Sequence, residues 1–112
     1  MLDRFETILL MDYYSCLLTD KQLKIMNMYF NEDLSLAEIS EITDTTRQAI
    51  HDLIKRCEKQ LKVYEEKLQL LQKNYIRNKR KEELLDSLEN RFNLDSKLLD
   101  NIEKSIDDII NA

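Results

Sequence analysis

The chain has no glycine and no proline. These two residues punctuate turns and interrupt strands most strongly, so their joint absence removes the usual signals of hairpins and bulges. It also excludes a glycine-rich loop that cradles phosphate. Histidine occurs once, as His51, and cysteine twice, as Cys16 and Cys57. That inventory cannot assemble a zinc site of ordinary ligand count. Nor does any Ser, Thr or Cys nucleophile have a histidine base to draw on beyond His51. Paired acids such as Glu65 with Glu66, or Asp107 with Asp108, point to different helix faces as solvated charges do. No catalytic residues, no metal and no cofactor are therefore expected, and the chain is not expected to be an enzyme. No apolar run reaches membrane-spanning length. Asp3, Arg4 and Glu6 interrupt the first apolar stretch, so it does not read as a signal peptide. A cytoplasmic setting with no membrane partner follows, with both cysteines reduced and acting as small buried hydrophobes.

What is present is helix-forming sequence. In 112 residues rich in Leu, Ile, Lys, Glu and Asp, every apolar run follows a helical period, which predicts an all-α fold. One domain over residues 1–112 is expected, with a head at 1–62 and a helical extension at 63–112. Asp3 with Glu6 forms a capping box for a first helix whose inner face would be Phe5, Ile8, Leu9, Tyr13, Cys16 and Leu17. Thr19 with Gln22 caps a second, with Leu23, Ile25, Met26, Met28, Tyr29 and Phe30 inside. Aromatics at this spacing read as core before they read as a base-stacking platform.

The organising stretch is residues 34–62. Ser35 with Glu38 forms a capping box for a short helix whose apolar face is Leu36, Ile39 and Ile42. Thr43, Asp44 and Thr45 break it, because their side chains compete for backbone hydrogen bonds. Asp44 stands where a left-handed residue is needed and tolerates that backbone better than most. Thr45 with Gln48, or Thr46 alone, caps the next helix, which turns Ile50, Leu53, Ile54 and Cys57 inward. Two helices joined by so short a turn form a helix-turn-helix arrangement. The second would lie in a DNA major groove, with Arg47 and Gln48 reaching base edges. Thr45, Thr46, Lys55 and Lys59 would hold phosphates, and His51 could do either.

Several segments together resemble the YlxM family of helix-turn-helix proteins: residues 18–22 (LTDKQ), 33–39 (DLSLAEI), 47–52 (RQAIHD) and 64–73 (YEEKLQLLQK). The helix-turn-helix part is also similar to the fourth conserved region of bacterial sigma factors. The resemblance implies a small bacterial regulatory protein associated with the signal recognition particle pathway. It also brings in that particle's RNA or its GTPase as alternative partners, with the helix-turn-helix then acting as a scaffold that does not read DNA.

Nothing in the sequence stops the second helix before about Arg80. Ile50, Ile54, Cys57, Leu61, Tyr64, Leu68, Leu71 and Tyr75 recur in alternating steps of four and three, a heptad pattern. The stretch Leu61, Tyr64, Leu68, Leu71 and Tyr75 outlasts the head, so it would be covered by the C-terminal helices or by a second chain as a homodimer seam. Residues 46–81 carry eleven Lys/Arg and four acids, a balance of +7, against six and eighteen elsewhere, a balance of −12. Arg77, Lys79, Arg80 and Lys81 form the densest basic cluster, either a solvated helix end or a phosphate patch. Two acidic amphipathic helices follow, one with Leu84, Leu85, Leu88 and Phe92, the other with Leu98, Leu99, Ile102, Ile106, Ile109 and Ile110. Against DNA stand Glu38, Glu41 and Asp44 on the first motif helix, and Asp52 on the second.

Overall fold

A computed structural model describes residues 3–112, and among these no strand is present. The helices are α1 (Arg4–Tyr14), α2 (Asp20–Phe30), α3 (Leu36–Thr43), α4 (Arg47–Leu68), α5 (Leu70–Phe92) and α6 (Ser96–Ile110), with one 3-10 turn at Ser15–Leu17. The all-α helix-turn-helix architecture expected from the sequence is the one observed. The chain divides into two compact units, Met1–Leu71 and Gln72–Ala112.

Helix starts follow the capping logic. Asp3 Oδ1 accepts from Glu6 N at 2.7 Å. Thr19 and Gln22 form a reciprocal box, as do Ser35 and Glu38. Thr46, not Thr45, caps α4, its hydroxyl accepting from Ala49 N at 3.1 Å. With no glycine available, the left-handed positions fall on Asp33, Asp44, Gln69 and Asn93, at φ 58°, 52°, 56° and 51°.

The first unit is built around α4, against which α1, α2 and α3 all pack. Ile50, Ile54, Cys57 and Leu61 form its buried stripe, meeting Leu10, Met11 and Tyr14 of α1, Ile25, Met26, Met28 and Phe30 of α2, and Ile39 of α3. Burial pushes the Cys57 thiol above its ordinary pKa. The rotation of α1 differs from expectation: Thr7, Leu10, Met11 and Tyr14 are buried, whereas Phe5 is 71% exposed and Cys16 and Leu17 face solvent. The unbroken apolar run Ile8 to Met11 fits either phase, and Tyr14 decides between them. Ile42 is likewise exposed on α3, where Ile39 is buried in the core and Leu36 packs partly against it.

The helix expected to run unbroken from Thr46 to about Arg80 is divided at Gln69, whose left-handed backbone ends α4, its N–H donating to Glu65 O at 2.8 Å. A small polar cluster satisfies the backbone where α5 begins. The fully buried Tyr14 hydroxyl donates to Glu65 Oε1 at 2.6 Å and accepts from Leu70 N at 3.0 Å. The same carboxylate oxygen accepts from Leu71 N at 3.1 Å. Desolvation first, and the bond to Glu65 second, raise the Tyr14 pKa, so the phenol stays protonated and keeps donating.

That break divides the heptad seam. Leu61 is fully buried in its own chain's core, and Tyr64 and Leu71 pack partly against it. Leu61 therefore has no surface left to offer a second chain. Leu68 and Tyr75 are exposed.

In the second unit α5 and α6 run antiparallel. Lys81 Nζ, low on α5, reaches Asp107 Oδ1 at 2.7 Å and Glu103 Oε1 at 3.3 Å, high on α6. The hydrogen bond to Asp107, seconded by Glu103, raises the Lys81 pKa. Asp95 caps α6, accepting from Leu98 N at 2.8 Å.

Two outcomes test the junction. Tyr14→Phe removes one donor from the Glu65 carboxylate, which keeps Leu71 N, and takes the acceptor from the Leu70 N–H; it is expected to cost about 1–3 kcal/mol in urea-induced unfolding. Gln69→Gly relieves a side chain held in the left-handed region, and is expected to stabilise by about 1 kcal/mol; a neutral or lower unfolding midpoint would contradict this.

Candidate nucleic-acid interface

The site begins with the end of α3. Both Asp44 N and Thr45 N donate to Ser40 O, closing the helix with Asp44 in the left-handed conformation. This double closure places two donors on the Ser40 carbonyl and turns the chain sharply. Thr43 Oγ1 donates to Ile39 O at 2.7 Å and Thr45 Oγ1 to Thr43 O at 3.1 Å, so two threonines fix the turn from within. Asp44, Thr45 and Thr46 are the whole connection between α3 and α4.

α4 then presents a polar sector. At about 100° per residue, Arg47, Gln48, His51, Lys55 and Lys59 fall within roughly one-third of its circumference. This sector lies away from the stripe through Ile50, Ile54 and Cys57. Arg47, Gln48, His51 and Lys59 are exposed and Lys55 is half-buried. Thr46 and Thr45 adjoin them, their hydroxyls engaged in the cap and the turn.

Asp52 borders this sector, just beyond its Gln48 and Lys59 edge. Its Oδ1 accepts from Gln48 Nε2 at 2.9 Å and lies 3.5 Å from His51 Nδ1. One carboxylate therefore holds two of the groups suited to reading bases, and adds a charge that repels phosphate. On α3, Glu38 and Glu41 are exposed, with the Glu38 carboxylate already in its capping box.

Two sources of positive charge beside the motif lay outside the sequence expectation. A groove of about 460 Å³ beside the turn is lined by Asp20, Lys21, Lys24 and Ile25 of α2 together with Ile42, Thr43 and Thr45, two lysines against one acid. A second groove, of about 370 Å³, brings Arg4 of α1 together with His51, Lys55 and Glu58 of α4. Arg4 is fixed by bonds to Tyr29 O at 2.6 Å, Phe30 O at 3.1 Å and Asp33 Oδ1 at 3.0 Å. Its guanidinium lies 5.4 Å from the centroids of both the Tyr29 and Phe30 rings. A basic residue in the first turns of a helix carries no tertiary signal in sequence, which is why neither groove was foreseen.

The cluster Arg77, Lys79, Arg80 and Lys81 belongs to the second unit. Lys81 is committed to Asp107 and Glu103 and its side chain is only 15% exposed, so it is withdrawn from any phosphate patch. Arg77, Lys79 and Arg80 are exposed. Among the described residues no group of three or more His, Cys, Asp or Glu is arranged to hold a metal ion. No described helix is long and apolar enough to cross a membrane.

Comparison with known proteins agrees with this geometry. A model of the family described as "Putative helix-turn-helix protein, YlxM / p13 like" matches residues 1–108. A UPF0122 protein of Clostridium perfringens strain 13 is 54% identical over 112 residues, spanning all of both chains. A UPF0122 protein of Clostridium novyi strain NT is 48% identical over 112 residues, covering all of this chain and 96% of its own. One from Clostridium acetobutylicum is 44% identical over 114 residues, covering 95% of this chain and 96% of its own. The chain belongs to the YlxM / p13-like family of helix-turn-helix proteins.

Proposed function

We propose that the chain is a regulatory DNA-binding protein of the bacterial cytoplasm that acts as a homodimer and reads a major groove with the start of α4. The observation that supports this most is the sector of Arg47, Gln48, His51, Lys55 and Lys59. It stands on a helix whose adjoining face is anchored in the core and whose N-terminus is capped by Thr46. Arg47 and Gln48 occupy the first turn, where Arg pairs with guanine and Gln with adenine. Thr45, Thr46, Lys55 and Lys59, joined by Lys21 and Lys24 across the turn, contact phosphate. These two lysines offset the negative charge of Glu38, Glu41 and Asp44, which alone would repel a DNA backbone.

The acidic α3 favours a second reading. Here the motif is a scaffold, and the partner is the signal recognition particle, bound through its RNA or its GTPase. Enzymatic activity forms no part of either reading.

The experiment is a fluorescence-anisotropy titration against the gene's own upstream duplex and against signal recognition particle RNA, each at several salt concentrations. On the DNA reading, Arg47→Ala and Gln48→Ala each cost about 1–3 kcal/mol at the preferred duplex and relax its sequence preference. Lys55→Ala and Lys59→Ala weaken every duplex alike and reduce the salt slope by about one unit each. Neutralising Arg77, Lys79 and Arg80 leaves the preference intact. If Arg47→Ala leaves all nucleic-acid binding unchanged while the changes at Arg77, Lys79 and Arg80 abolish it, the scaffold reading takes over.

Asp52 gives a prediction of opposite sign. Asp52→Asn removes a negative charge from the reading sector, and is expected to tighten DNA binding by several-fold at low salt, the gain fading as salt rises. A loss of affinity would show that Asp52 instead positions Gln48 for its base.

A further inference from the structure

The basic start of the second unit carries a repulsion that its own helix does not relieve. Residues 72–81 hold five Lys/Arg and no acid, in a chain whose net charge is −5. At about 100° per residue, Lys73, Arg77 and Arg80 fall within roughly 60° of one another on α5. All three are exposed. They stand four and then three residues apart, so they are neighbours on the helix surface, where like charges oppose helix formation. The ion pairs formed among the described residues include none of the three. At spacings of three or four residues the single acid beside them is Glu83, next to Arg80.

The fold redraws the basic cluster of Arg77, Lys79, Arg80 and Lys81. Lys79 lies at least about 100° around α5 from each member of the stripe, so it points elsewhere. Lys81 borders the stripe, but its charge is answered by Asp107 and Glu103 of α6. Those two acids are answered in the same way. What is left on this flank is the charge of Lys73, Arg77 and Arg80.

The length of the stripe suits a strand of phosphates. From Lys73 to Arg80 it runs about 10 Å along the helix axis. A DNA strand offers one phosphate per roughly 3.4 Å of its axis, so about three phosphates pass the three cations. Arginine grips phosphate with two parallel donors, and lysine meets it as a point charge. Such contacts also remove the repulsion between the three side chains.

We propose that Lys73, Arg77 and Arg80 form a second DNA contact, one that holds backbone phosphates whatever the base sequence. The choice of DNA over other polyanions rests on the DNA reading of α4 given above. The stripe supplies affinity without preference, whereas the start of α4 supplies preference.

The test is fluorescence anisotropy of the full-length chain on the gene's own upstream duplex and on a scrambled duplex, across a salt series. Lys73→Gln with Arg77→Gln and Arg80→Gln is expected to weaken both duplexes alike, by at least about tenfold at low salt, and to lower the salt slope by about three units. Lys79→Gln with Lys97→Gln and Lys104→Gln removes the same charge from the same unit outside the stripe, and is expected to lower the slope by less than one unit. Equal losses from the two triple variants would mean general attraction in place of a site, and overturn the proposal. Unchanged binding by the stripe variant overturns it too. If circular dichroism shows that this variant has lost helix, Arg77→Gln alone is measured, with a fall of about one unit expected and no fall counting against the stripe. Polyglutamate that displaces the duplex as well as unlabelled duplex does would make the surface an acidic-protein site and overturn the assignment to DNA. Arg47→Ala and Gln48→Ala judge the α4 reading separately, since they are expected to abolish the difference between the duplexes and leave the stripe's contribution in place. A parent chain that binds neither duplex overturns both.

Discussion

α4 has to satisfy two demands at once, and the first unit is arranged by that conflict. Its stripe of Ile50, Ile54, Cys57 and Leu61 is at most 4% exposed and is the surface on which the other three helices meet. Fixing that stripe fixes the rotation of the helix, and hence the direction in which Arg47, Gln48, His51, Lys55 and Lys59 point. A change in core packing would therefore be felt first as a rotation of the polar sector. The Thr46 cap and the Asp44 turn set the depth at which the helix begins, so the geometry of the surface follows from apolar burial and two short-range hydrogen-bonding devices.

Much of this was legible in the chain. The boxes at Thr19–Gln22 and Ser35–Glu38, the left-handed Asp44 and the inward set on α4 each rest on interactions within a few residues, which sequence patterns encode directly. What escaped depends on tertiary partners. Ile8 to Met11 is apolar at every position, so periodicity could not choose a face. The face observed is the one on which the Tyr14 hydroxyl donates to Glu65 and accepts from Leu70 N, more than fifty residues away. Gln69 escaped for a related reason. Glutamine is a good helix former and sits inside a regular heptad, so nothing local announces a break that is held by the same cluster. The candidate sector on α4 could be read from sequence because it lies on one helix, whereas only the fold brings Lys21, Lys24 and Arg4 near it.

The absence of glycine carries a structural cost that falls, among the described residues, on four positions. Asp33, Asp44, Gln69 and Asn93 each adopt a backbone that glycine would enter without steric penalty. Three are Asp or Asn, whose short polar side chains are the least penalised alternatives. All four lie at helix ends. Side chains there restrict the disordered chain more than glycine would, so turns that are less comfortable when folded are also less mobile when unfolded.

The two thiols have contrasting surroundings, and this makes the protein its own clock. Cys16 sits exposed on the 3-10 turn, whereas Cys57 lies at zero exposure in the centre of the α4 stripe, its ionisation suppressed by burial. An alkylating reagent therefore meets one thiol at once and the other only when the core opens, because the thiolate is the reactive species. The lag between the two modifications measures how often the first unit opens, with no probe added and no residue replaced.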